Sequence, residues 1–224
     1  MKGPWSAYAY LAWVAVANSF CADFMVRPKV SLHVSFTILD ALPSPRFSSE
    51  SNVARALVYP ALLLTCTSSE MTGLWDILAA SGWVQERDPS LPFPGVVDDS
   101  ARATLRAEID SIVAGQVYGL THAQLDCILD TFPIVKRKDE QVHGHYRTKN
   151  TILDIYDEMA EVIEANAAAA VAAGREPTAR YQTRLDPPPG PPTDEAGNFI
   201  PMAQWDPNHW PSHIHPPREA ETGS

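Results

Sequence analysis

The sequence predicts a mainly α-helical fold: a bundle-like helical domain with one short strand and a proline-rich tail. Three observations carry that reading. Apolar residues recur at spacings of three and four along several segments, as Leu105, Ile109, Ile112 and Val113 do. A single stretch, 32–38, alternates apolar and polar residues with the period of a strand. And 11 of the chain's 20 prolines fall in the final fifty residues, which have few aliphatic side chains to offset the entropy of ordering them. With 224 residues, 45% of them hydrophobic, the chain is long enough for one or two domains with a substantial core.

Residues 5–25 form a largely apolar run that reads as a helix, broken at Pro28. Leu32, Val34, Phe36 and Ile38 then share one face of a short strand, with His33, Ser35 and Thr37 on the other, until Pro43 and Pro45 stop it. A helix is expected over 52–65, disturbed at Pro60, whose ring removes an interior N–H. Another spans 70–80, with Ser68 or Ser69 as N-cap and Gly82 as stop signal. Pro89, Pro92 and Pro94 make 86–97 a loop. Asp98 or Asp99 caps the next helix, and Gly115 and Gly119 loosen the chain after it. Thr121 opens a further helix, with Gln124 placed to complete a capping box and Leu125, Ile128, Leu129 and Phe132 on one face. Pro133 reads as its end, and the stretch from there to Lys149 as a cationic loop. The last long helix covers 149–173, with Ile152, Ile155, Tyr156, Met159, Val162 and Ile163 on one side, and closes at Gly174. From Arg175 onward, polyproline or disordered conformations are expected, laid over the domain in part.

Charge and motif content narrow the function. A net charge of −10 argues against a polyanionic partner for the chain as a whole. The acidity is uneven, however: residues 1–149 hold 13 Lys and Arg against 15 Asp and Glu, whereas 150–224 hold 4 against 12. Cys21, Cys66 and Cys127 are odd in number, widely spaced and set in apolar contexts, which fits a reduced, cytoplasmic compartment better than a disulfide framework. The pairs His143 with His145 and His213 with His215, with His209 nearby, lack a third ligand at a diagnostic spacing and read as loop histidines. No serine stands in a G-x-S-x-G turn. The run AYAYLAWVAVA behind Lys2, with small residues at Ala15 and Ala17, has the pattern of a secretory signal. No apolar run reaches the roughly 20 residues that span a bilayer, so no membrane partner is expected.

The densest segment is 118–156, YGLTHAQLDCILDTFPIVKRKDEQVHGHYRTKNTILDIY, where two helices bracket Lys136, Arg137, Lys138, Arg147 and Lys149. It resembles the C-terminal region of the large adenine-specific DNA methyltransferases of type IIG restriction-modification systems and of the BREX and DISARM phage-defence systems. In that family a YGL(T/S) helix, an ILDTFPIVKRKDE run and a YRTK turn occur in this order. Two further blocks agree: ANSFCADFMVRPKVSLHVSFTILDALPSPR, residues 17–46, is similar to the family's exit from the target-recognition region, and RYQTRLDPPP, residues 180–189, to its closing YQTxLDPPP.

The resemblance implies a piece of a longer enzyme that transfers a methyl group from S-adenosylmethionine to an adenine flipped out of the duplex. It divides the chain into the end of the recognition region at 1–46, a helical C-terminal domain at 47–174 and an acidic, Pro-rich tail at 175–224. The start at Met1, inside what the family treats as continuous sequence, points to a split-gene subunit, a truncated product or a fragment. This piece has neither the glycine-rich turn that meets S-adenosylmethionine nor an Asn/Asp-Pro-Pro-aromatic motif, since Asp186 is followed by Pro187, Pro188 and Pro189. No catalytic residue, metal ligand or cofactor contact is therefore assigned to it. The expected contacts are weak ones to the backbone of double-stranded DNA, through Lys136, Arg137, Lys138, Arg147 and Lys149, and more weakly through Arg27 and Lys29. The catalytic methyltransferase portion, if separately encoded, is the expected protein partner. Two other readings stay open: an interaction module that assembles a defence complex without touching DNA, and a secreted protein.

Overall fold

The computed structural model describes residues 6–30, 37–38, 42–43, 45–172, 183–201 and 204. Among them the chain is mainly helical, as expected. The helices are α1 (Ala7–Ala17), α2 (Phe20–Val26), α3 (Asn52–Thr65), α4 (Thr72–Ala80), α5 (Asp99–Ile112), α6 (His122–Asp130), α7 (Pro133–His143) and α8 (Arg147–Ala172). The strand expected over 32–38 lies mostly outside the described residues, and Thr37 and Ile38, which are described, sit in a helical turn. An isolated antiparallel bridge between Thr193 and Phe199 is the sheet-like contact found among the described residues.

The apolar run at the N-terminus is two helices rather than one. Ser19 divides them: its Oγ accepts the Ala22 N–H at 3.2 Å as the N-cap of α2 and donates to the Val16 carbonyl at 2.7 Å. The two axes meet at 66°. α1 packs against α3, and its Leu11, Ala12, Ala15 and Val16 are buried in the same apolar cluster as Leu57, Leu62, Leu105, Ile112, Leu125 and Ile152. α5 lies at the centre, packed on α3 and α8, while α6 and α7 pack on α8. Among the described residues, no single helix is long and apolar enough to cross a membrane.

α3 runs without interruption through Pro60. Its C-terminal carbonyls, orphaned by helix geometry, are met by three donors from outside the helix. Val96 N–H reaches Leu63 O at 2.9 Å, Gly95 N–H reaches Cys66 O at 2.8 Å, and Arg102 Nη1 reaches Leu64 O at 3.0 Å. A side chain at Gly95 has no room, because a Cβ there would stand 2.3 Å from the Cys66 oxygen. The loop over 86–97 is thus anchored at its end by capping α3.

Of the two caps the sequence offers for α5, the fold uses Asp98, whose carboxylate accepts the Ala101 N–H at 2.7 Å. Beyond Ile112 the helix continues as one π turn, Val113–Val117, in which Tyr118 N–H bonds Val113 O. Gly115 does not loosen the chain here. A Cβ at this position would come within 3.1 Å of the Tyr156 ring and 3.2 Å of the Met159 methyl, so glycine lets α8 approach. Ser111 Oγ lies 2.8 Å from both the Ala107 and Ile152 carbonyls and shares its one proton between them, joining α5 to α8.

Part of the tail is laid over the domain, as expected. Residues 183–201 lie on the domain: Arg184 N–H donates to the buried Glu108 Oε1 at 2.7 Å, the Arg184 guanidinium pairs with Glu158, and Leu185 packs against the core. A turn follows in which Asp194 accepts the Ala196 and Asn198 N–H groups at 2.9 and 2.8 Å.

Candidate nucleic-acid interface

The segment 118–149 begins as the sequence indicates. Thr121 and Gln124 form a complete capping box at the start of α6, and Leu125 and Leu129 on its inner face are fully buried. The cationic loop expected after it is a helix instead. Pro133 stands at the first helical position of α7, where its fixed φ suits the helix and its missing N–H would have no partner anyway, so the residue read as a stop is a start. Gly144, with φ 76°, ends α7. Asp139 from α7 then accepts the Thr148 N–H at 2.6 Å, a cap supplied to α8 across the turn.

The helix sets the seven basic candidates apart. Lys136, Arg137 and Lys138 are exposed on α7, with no ion pair among the described residues. As consecutive helical positions they fan out by about 100° each and do not share one face. Arg147 is half-buried and donates to Ser100 Oγ at 3.2 Å. Lys149 is held between Asp126 and Asp130 of α6, at 2.7 and 2.8 Å, with its side chain 14% exposed. Those two carboxylates raise the Lys149 pKa, overcoming the opposing effect of desolvation. Arg27 is likewise engaged: it pairs with Asp23 at 2.5 Å, donates to the Thr131 carbonyl at 2.9 Å and lies 4.0 Å over the Phe132 ring. Lys29 is exposed at the end of the 3-10 turn Arg27–Lys29.

No known protein family, curated protein or solved structure matches the chain. The geometry therefore stands by itself. His143 and His145 have ring centroids 6.5 Å apart, and among the described residues no group of three His, Cys, Asp or Glu could hold a metal ion. His209, His213 and His215 lie outside the described residues. Cys21 and Cys66 are buried, and burial pushes both thiols up to about 12; Cys127, set among apolar residues in sequence, is exposed.

Sequence reasoning missed the most chemically varied place in the fold. A cleft of about 620 Å³ opens between the α1–α2 corner, α3, α5, α7 and α8. Arg102, Arg106 and Asp110 of α5 line it, joined by Asp139 and His143 from α7 and Arg147 from α8. The signal was present: residues 102, 106 and 110 recur at spacing four, a polar stripe beside the apolar one. Hidden in the sequence was that α2 and α3 close over that stripe. Asp110 accepts the Phe20 N–H at 2.7 Å, and burial raises its pKa to about 7 against the lowering effects of that bond and of Arg106. Arg102 is 6% exposed; burial first, then Arg106, lowers its pKa to about 10.

Proposed function

We propose that this chain is the C-terminal, DNA-contacting scaffold portion of an adenine-specific DNA methyltransferase of a restriction-modification or phage-defence system, with the methyl-transfer chemistry supplied by another portion. The observation that carries this reading is the resemblance of three sequence blocks in one order, at 17–46, 118–156 and 180–189. Exposure of Lys136, Arg137 and Lys138 on α7 supports a backbone contact to double-stranded DNA, weak and without sequence readout. Lys149 and Arg27, engaged by carboxylates, and Arg147, half-buried and bonded to Ser100, are positioned for structure rather than for phosphate, which leaves the α7 residues and Lys29 as the contact set. S-adenosylmethionine belongs, in this reading, to the complete enzyme.

A second reading has its own observation. On α7, Ile134 and Val142 are 60% and 75% exposed, and no residue of that helix is buried. A protein partner, such as the catalytic portion, would cover them.

Binding of a fluorescent duplex at several salt concentrations separates the two. Replacing Lys136, Arg137 and Lys138 with alanine should weaken binding equally for unrelated sequences and flatten the salt dependence by about 0.9 in slope per lost phosphate contact. Because the three fan around α7, a loss of one or two contacts is expected rather than three. An unchanged curve and slope would discard the DNA contact in favour of the protein partner.

A further inference from the structure

The cleft between the α1–α2 corner, α3, α5, α7 and α8 has a mostly apolar lining with cationic groups set into it. Val14, Ala61, Leu64, Ala107 and Ile152 supply apolar surface, and three guanidinium groups, Arg102, Arg106 and Arg147, line the same space. Among the described residues none of the three forms an ion pair. Arg102 is the most telling. It is more than nine-tenths buried, its Nη1 is spent on the Leu64 and Val96 carbonyls, and its Nε is buried without a hydrogen-bond partner. Among the described residues no carboxylate stands at ion-pair distance from Arg102, and Asp99 acts on its charge only from farther off, so an anion arriving at closer range would relieve the remaining cost of burial. Two carboxylates share the cleft with these three guanidinium groups: Asp110, which accepts the Phe20 N–H and whose pKa burial raises to about 7, and Asp139, which accepts the Thr148 N–H.

We propose that this cleft is a binding site for a small organic anion, one phosphate or carboxylate head on an apolar body, with Arg106 and Arg147 holding the head alongside Arg102. The volume is within the range of ligand pockets, and apolar walls carrying a few charged groups are their usual chemistry. Arg106 is exposed and Arg147 half-buried, so an anion can reach them from solvent. This site is independent of the exposed cations of α7 and of the DNA reading that rests on them.

Calorimetric titration of the full chain with hexyl phosphate, hexanol and inorganic phosphate tests it. Hexyl phosphate should saturate one site, and each of the other two, lacking head or body, should bind at least about tenfold more weakly. Arg106→Gln and Arg147→Gln should each weaken hexyl phosphate by about tenfold while leaving the melting curve near that of the parent. Arg102 also caps α3, so it is left intact. The Lys136, Arg137 and Lys138 triple-alanine variant should bind hexyl phosphate as the parent does, which separates this site from the DNA contact. Hexanol binding as tightly as hexyl phosphate, or a double Arg106→Gln, Arg147→Gln variant with parental affinity, would overturn the proposal.

Discussion

The Asp110 carboxylate accepts the Phe20 backbone N–H at 2.7 Å across a separation of 90 residues, tying the start of α2 to the last turn of the central helix α5. This bond fixes the α1–α2 corner over α5, and it does so with an acid that burial keeps partly protonated near pH 7.

Stability should therefore depend on pH through Asp110. Its folded-state pKa of about 7 lies above the unfolded value of about 3.9, so the native state holds the extra proton between them. Its contribution is fully present below about pH 4 and is lost as pH rises through about 7, at no more than about 1.4 kcal/mol per pH unit. Asp110→Asn, which keeps an oxygen for Phe20 N–H, should flatten the fall in urea midpoint between pH 4 and 7. Cys21, whose thiol Asp110 also raises, titrates far outside that window. An identical pH profile in the variant would show that Asp110 stays ionised when buried.

Gly95→Ala should destabilise the fold by roughly 1–3 kcal/mol, the usual cost of forcing an atom into filled space. The added Cβ meets backbone, the Cys66 carbonyl at 2.3 Å, which no rotamer change can move. Chemical denaturation measures this as a lower midpoint. Gly73→Ala is the control, because nothing lies within 4 Å of a Cβ there.

Lys149→Met should lower stability by about 1 kcal/mol, because it leaves Asp126 and Asp130 of α6 facing each other without their shared cation. The loss should shrink in high salt, where like charges are screened. Duplex binding should be unaffected, in contrast to the triple substitution on α7. Thermal melts at low and high salt, with a binding curve, decide between a structural lysine and a phosphate contact.

Truncation should distinguish the two parts of the tail. A chain ending at 201 should melt as the full chain does, whereas one ending at 182 should lose about 1–3 kcal/mol, because buried Glu108 loses the Arg184 N–H and Leu185 leaves the core. Equal melting of the two truncations would show that 183–201 lies on the surface without contributing.

Local chemistry was legible where it depends on neighbours in sequence. The Thr121 and Gln124 capping box and the buried positions Leu105, Leu125, Ile152 and Met159 follow from spacing alone, and spacing narrows the α5 cap to Asp98 or Asp99, of which the fold uses Asp98. Pro133 was ambiguous for a physical reason. A proline is equally suited to follow one helix and to occupy the first position of the next, and only the Asp139 cap on Thr148 and the Gly144 turn reveal a helix between them. The break at Ser19 was hidden in the same way, because apolar residues continue on both sides of it.

The sequence by itself determined the helical class, most helix limits in the central part of the chain and the resemblance on which the functional proposal rests. Tertiary structure alone decided which charges remain available. Lys149 carries the same charge as Lys136, yet two carboxylates of α6 that sequence spacing does not single out have claimed it, whereas the Asp23 partner of Arg27 stands four residues away and was legible in the sequence. Conversely, Arg102, Arg106 and Arg147 come to line one cleft only because α5 and α8 pack side by side beneath α3. Helix formation is set by local spacing and caps, whereas the environment of a charge is set by whichever elements fold against it.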